Sequence, residues 1–153
     1  MKKILIIYHS QEGSTQKMAE AVSGGVSSID GAQAVLKRAT EAGLDDLLEC
    51  EGLIIGSPEY FGYMAGAVKG FFDRTYTGAQ SGRKVFRKPY AVFVHAGNDG
   101  TGALNSIERI CLGYKFKKVF EPFIVTGDVS DAVLLRCREI GQTVAAGCVH
   151  GIY

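Results

Sequence analysis

Lys3-Ile4-Leu5-Ile6-Ile7-Tyr8-His9-Ser10-Gln11-Glu12-Gly13-Ser14-Thr15 opens the chain with an abrupt change of pattern. Residues 3–8 form a short apolar run that suits a strand buried on both faces. A helical spacing begins at Ser14, so Ser10, Gly13, Ser14 and Thr15 stand where a strand gives way to a helix. Free N–H groups at a helix start, reinforced by the helix dipole, attract an anion. No Lys or Arg falls between residues 4 and 16. The junction therefore reads as a seat that holds a phosphate and does not cleave one. A plain helix cap by Ser14 or Ser10 is the competing reading.

The same alternation continues along the chain. Strand candidates are Lys3–Tyr8, Ala34–Arg38, Gly52–Gly56, Tyr90–His95 and Val119–Val125. Between them lie helical patterns at Ser14–Ser28, Leu44–Glu49, Ala65–Thr75, Thr101–Tyr114 and Val129–Val149, each with one apolar face. That order predicts an α/β fold with right-handed crossovers and helices on both faces. Five strands suit a doubly wound parallel sheet in the order 2-1-3-4-5, with its ligand site beside strands 1 and 3. No linker or repeat interrupts residues 1–153, so one domain is expected.

Composition narrows the function classes. A net charge of +1 suggests neither a nucleic-acid binder nor an acidic tail. Arg83, Lys84, Arg87 and Lys88, with Lys115, Lys117 and Lys118, form a local basic cluster. It reads as a solvated face or as a docking patch for an acidic partner or a nucleotide phosphate. Cys50, Cys111, Cys137 and Cys148 form no C-x-x-C pair and no metal-ligand spacing, which fits free thiols in a reducing compartment. The first strand starts at once, without a signal segment, and no apolar run approaches 18 residues. A cytoplasmic protein without membrane insertion is expected.

Ligands of an open parallel sheet bind beyond the carboxyl ends of its strands. After strand 3 comes Gly56-Ser57-Pro58-Glu59-Tyr60-Phe61-Gly62-Tyr63-Met64-Ala65-Gly66. Its aromatic side chains either fold back on the following helix or wait for a flat ligand. After strand 4 comes His95-Ala96-Gly97-Asn98-Asp99-Gly100-Thr101-Gly102, where glycines let backbone N–H groups approach a ligand, or form a turn capped by Thr101. Together the three loops suit a phosphorylated flat ring.

At these residues the chain resembles the flavodoxin-like family of FMN proteins. Ser10–Thr15 resembles its phosphate loop, (Ser/Thr)-x-x-Gly-x-Thr, and residues 51–62 resemble its second loop. Met64-Ala65-Gly66-Ala67-Val68-Lys69-Gly70-Phe71-Phe72-Asp73-Arg74 is similar to the reductase branch, the Trp-repressor-binding-protein-A-like quinone reductases and NADPH-dependent FMN reductases. The resemblance implies a flavodoxin-like sheet. It places Ser10, Gln11, Gly13, Ser14 and Thr15 on the FMN phosphate, with Glu12 in the same loop. Pro58, Glu59, Tyr60, Phe61 and Gly62 would line the isoalloxazine, with Ser57 in the same cofactor-binding loop, and Ala96, Gly97, Asn98 and Asp99 its other edge. Glu12 departs from the family's usual Thr, Ser or Tyr, and a carboxylate near a phosphate dianion costs energy unless it points to solvent.

Other uses of the topology lack their residues. There is no G-x-x-x-x-G-K-[ST] motif, no acidic cluster after strand 1 and no Cys–Arg phosphate loop. His9 and His95 end strands about 10 Å apart, too far for one metal ion. His95 is instead the candidate for handling a proton beside the flavin. By resemblance, the expected activity is NAD(P)H-dependent reduction of a quinone or similar acceptor. A single-electron carrier that meets redox partner proteins is the first alternative. A binding module that has lost FMN is the second. Self-association is an expectation by resemblance alone.

Overall fold

The computed structural model describes residues 1–82 and 84–153. The chain runs β1 (Lys2–Tyr8), α1 (Ser14–Ser27), β2 (Ala32–Arg38), α2 (Leu44–Glu49), β3 (Gly52–Tyr60), β4 (Tyr63–Met64), α3 (Gly66–Ala79), β5 (Pro89–Ala96), α4 (Thr101–Tyr114), β6 (Lys117–Lys118), β7 (Phe123–Thr126) and α5 (Asp131–Val149). The main sheet is parallel in the order β2-β1-β3-β5, with β6 and β7 along the outer edge of β5. This is the doubly wound order the alternation predicts, with the fifth strand in two pieces.

Residue parity in the central strands separates the two layers. Ile4, Ile6, Ile54 and Phe93 point into one core, filled by Met18 and Val22 of α1 and Ile140 and Val144 of α5. Leu5, Ile7, Leu53, Ile55, Val92 and Val94 point into the other, against Leu47, Phe71, Phe72 and Ile107 from α2, α3 and α4. Both faces of β1 are therefore apolar, which is why its sequence shows no period-2 alternation. On the first face α1 and α5 pack backbone to backbone. A Cβ on Gly25 would lie 2.1 Å from the Arg138 carbonyl, and one on Gly141 2.1 Å from that of Val22.

Three sequence expectations shift. Val119–Val125 is not one strand: Tyr90 to Phe93 of β5 faces Lys118 to Phe123, two more residues on the edge side. Pro122 sits in the interruption and has no N–H for the ladder. Second, β3 extends to Tyr60, so much of the aromatic loop is strand. Third, Lys88 leaves the basic cluster. It is buried, and its ammonium donates to the carbonyls of Leu47 (2.8 Å) and Cys50, closing the C-terminal end of α2. Lys84 and Arg87 remain exposed, and Arg83 lies outside the described residues. Among the described residues no helix is long and apolar enough to cross a membrane.

Candidate functional site

Because β1 lies between β2 and β3, the chain leaves β1 and β3 in opposite directions and a crevice opens above them. There the structure forms a cleft of about 180 Å³ lined by Ser10, Gln11, Glu12, Ser14, Thr15, Pro58, Glu59, Tyr60, His95 and Gly97. All three loops singled out from sequence contribute to it. No Lys or Arg is among these lining residues.

The first wall is the β1–α1 junction. Ser10 Oγ accepts the Gly13 N–H at 3.0 Å, which folds the loop onto itself. Gly13 is the N-cap residue with φ +105°, a backbone that L side chains rarely adopt. No side chain caps α1. The capping alternative for Ser10 and Ser14 is therefore not what the fold uses. The helix start stays available to an anion, flanked by the hydroxyl-bearing Ser14 and the buried Thr15.

The second wall is the end of β3. Ser57 is fully buried: its hydroxyl donates to the Pro58 carbonyl (2.7 Å) and accepts the Ala65 N–H (3.0 Å). It braces the loop and does not line the cleft. Tyr60 and Tyr63 pair across a two-residue turn made by Phe61 (φ +53°) and Gly62 (φ +70°). The turn holds Phe61 fully exposed at its tip, while Tyr60 packs partly on the core and sits edge-on to His9 at 5.9 Å. The aromatic run thus divides. Tyr60 tucks back and Phe61 stays open.

The third wall follows β5. Gly97 reaches the cleft, Ala96 is buried beneath it, and Asn98 and Asp99 point to the exposed rim. His95 Nε2 lies 2.7 Å from the Gly127 carbonyl. A carbonyl only accepts, so Nε2 carries a proton and donates it in this contact.

Glu59 joins the second and third walls. One carboxylate oxygen accepts the Gly100 N–H and the other the Ala103 N–H, both at 3.0 Å. It supplies from another element the cap that α4 lacks in its own sequence, and Thr101 instead donates to Asp99 at 2.5 Å. Two further roles escaped the sequence reading. Ser106 accepts the Met64 N–H at 3.2 Å and ties the turn to α4. Gly102 lets the turn approach: a Cβ there would sit 2.1 Å from the Gly62 carbonyl. Only the close spacing of Gly100 and Gly102 hinted at this second role.

Electrostatically, burial and then the nearby Arg38 hold His9 below the ordinary histidine range. Burial and then the Glu12 carboxylate push the Tyr60 phenol up. Among the described residues no group of three or more His, Cys, Asp or Glu is placed to hold a metal.

The residues present fit a phosphorylated flat ring. An uncapped helix start with neutral hydroxyls meets Tyr60 and Gly97 in one crevice.

The family model for NADPH-dependent FMN reductases matches residues 26–124, which include the aromatic and glycine loops but not the hydroxyl loop. A flavodoxin from Aquifex aeolicus (strain VF5) is 42% identical over 73 residues, 48% of this chain and 40% of that protein. An NAD(P)H dehydrogenase (quinone) from Acidithiobacillus ferrooxidans (strain ATCC 53993 / BNL-5-31) is 36% identical over 126 residues, 66% of this chain and 62% of that one. The chain thus spans less than two thirds of the length of either relative. In fold, it is similar to the flavodoxin, WrbA-like protein from Agrobacterium tumefaciens, with a TM-score of 0.82 at 22% identity over 98% of this chain and 99% of that one.

Proposed function

The chain belongs to the NADPH-dependent FMN reductase family, and on that premise we propose that it binds FMN and passes electrons from NAD(P)H to a quinone or similar small acceptor. The observation that carries this reading is the convergence of three loops on one cleft, with an uncapped helix start and Tyr60 among its walls. Ser10, Ser14, Thr15 and the first N–H groups of α1 hold the phosphate. Pro58, Glu59, Tyr60, Phe61 and Gly62 lie along one edge of the ring, and Ala96, Gly97, Asn98 and Asp99 along the other.

Bound FMN supplies the electron-accepting chemistry; the protein supplies placement and electrostatics. Neutral donors fix the phosphate. Phe61, fully exposed on its turn, gives the ring or the acceptor a flat apolar surface. His95, held through Nε2 by the Gly127 carbonyl, is the side chain in the cleft that handles a proton beside the ring. The 36% identity to an NAD(P)H dehydrogenase (quinone) supports a small-molecule acceptor. The similarity to a flavodoxin supports the second reading, a carrier that hands single electrons to a partner protein.

Steady-state oxidation of NADH and NADPH, with and without a benzoquinone, tests the reading. FMN-dependent turnover that needs the quinone is expected. Flavin binding without turnover by either nucleotide would leave the carrier in its place, and a protein that takes up no FMN would contradict both.

A further inference from the structure

The two helical layers of the sheet differ in what they show to solvent. On the α3–α4 side, Tyr63, Tyr76 and Leu112 are 43%, 46% and 77% exposed, and Phe86 just beyond α3 is exposed as well. Among the described residues, the α1–α5 side exposes only Leu135 of this kind, while Met1 and Ile152 stand at the chain ends. Single exposed apolar side chains are ordinary, but several on one face mark a surface that is covered in use. Here they flank a groove of about 310 Å³ between α3 and α4. The buried Phe72 and Tyr114 form its floor, Tyr76 and Ile110 its sides, and Gly113 leaves one wall low. Beside the groove Asn105, Arg109 and Leu112 recur at helical spacing and are all exposed, so they form a ridge along the outer side of α4.

The charges on this face are of both signs and complement each other. Asp73 on α3 is 62% exposed and accepts the Lys69 ammonium on Oδ1 alone, at 2.6 Å. Among the described residues Arg109 makes no ion pair within its own chain. One face therefore carries a protruding apolar side chain and an apolar groove, together with a spare cation and a carboxylate that has an oxygen to spare. A two-fold interface needs both halves of each such pair on the same patch, because the patch meets itself. A different protein would call for only one half of the set.

We propose that this face docks a second copy of the chain about a two-fold axis, with Leu112 of each copy seated in the α3–α4 groove of the other and Arg109 of each paired with the partner's Asp73. Leu112 and Tyr76 then lie in an apolar centre, and the charged pairs stand at its rim, as in stable protein interfaces. The inference is independent of the FMN reading.

Sedimentation equilibrium of the purified full chain, with and without FMN, tests it. A monomer–dimer equilibrium is expected. Leu112→Glu should leave a monomer, while the control Leu135→Glu, on the other layer, should leave the dimer intact. Arg109→Asp should raise the dimer's dissociation constant about tenfold, because the two-fold axis breaks two rim pairs at once. Adding Asp73→Arg to Arg109→Asp should restore most of that loss. Circular dichroism and thermal unfolding show that each variant is folded, and all four positions are exposed. A chain that stays monomeric up to the millimolar range overturns the second copy as occupant and leaves the face to a different protein. A dimer indifferent to Leu112→Glu, or lost equally in Leu135→Glu, overturns the proposed face. Charge reversals that never compensate overturn the two-fold pairing on which the proposal rests.

Discussion

Glu59 shows how a single side chain can join two loops that are far apart in sequence. Its two oxygens accept the N–H groups of Gly100 and Ala103, 41 and 44 positions away. In Glu59→Ala both donors at the start of α4 would lose their acceptor. A stability loss of about 1–3 kcal/mol is expected in urea unfolding. A weaker hold on flavin should accompany it, since the glycine rim is then free to drift. The sequence presented Glu59 only as part of an aromatic loop. Nothing local to it announced a cap, because its partners lie on another element. Ser57 is a similar case: it stands in a loop that looks exposed, yet its hydroxyl is buried and fully engaged.

His9 carries the pH dependence at this scale. Burial and Arg38 lower its affinity for a proton in the folded chain. An unfolded histidine takes up a proton near pH 6.5. As pH falls below that value the unfolded state binds protons before the folded state does, so stability falls with it. The contribution is complete above pH 6.5 and is lost progressively on acidification. In His9→Gln, thermal unfolding between pH 7 and pH 5 should show a shallower decline than in the unaltered chain.

At the scale of elements, the sequence was readable wherever local pattern and packing agreed. The apolar run of β1 and the bounds of α2 and α4 follow directly from their spacing. The edge strand was less legible. A run of Val, Phe and Ile around Pro122 reads as one strand by composition, yet the ladder splits it, because pairing depends on β5 and proline cannot donate. Lys88 was illegible for a different reason. A lysine in a basic cluster reads as solvated, and only the docking of α2 supplies the carbonyls that accept from it. The α1–α5 contact gives the prediction that belongs to this scale. An Ala in place of a helical Gly ordinarily adds stability of about 0.5–1 kcal/mol. At Gly141 the added methyl would meet the Val22 carbonyl at 2.1 Å. Gly141→Ala should therefore lower stability by about 1–3 kcal/mol in denaturant unfolding. The cleft lies at the far ends of the strands, so flavin affinity should change little.

For the whole molecule, one topological fact places the site. The sheet places β1 between β2 and β3, which opens a crevice at their carboxyl ends. The order of strands and the identity of the three loops were legible from alternation and turn residues. The division of labour within the loops was not. Phe61 stands open because a left-handed turn lifts it, Gly102 exists to admit that turn, and Asn98 and Asp99 stay on the rim. Each depends on distances between elements that no single stretch of sequence encodes. On the function proposed above, this crevice holds FMN by its phosphate and its ring together. Titration of the purified protein into FMN, followed by quenching of flavin fluorescence, tests it most directly. Saturable one-to-one quenching that weakens in Thr15→Val and in Phe61→Ala is expected. Fluorescence that stays unquenched at saturating protein would contradict it.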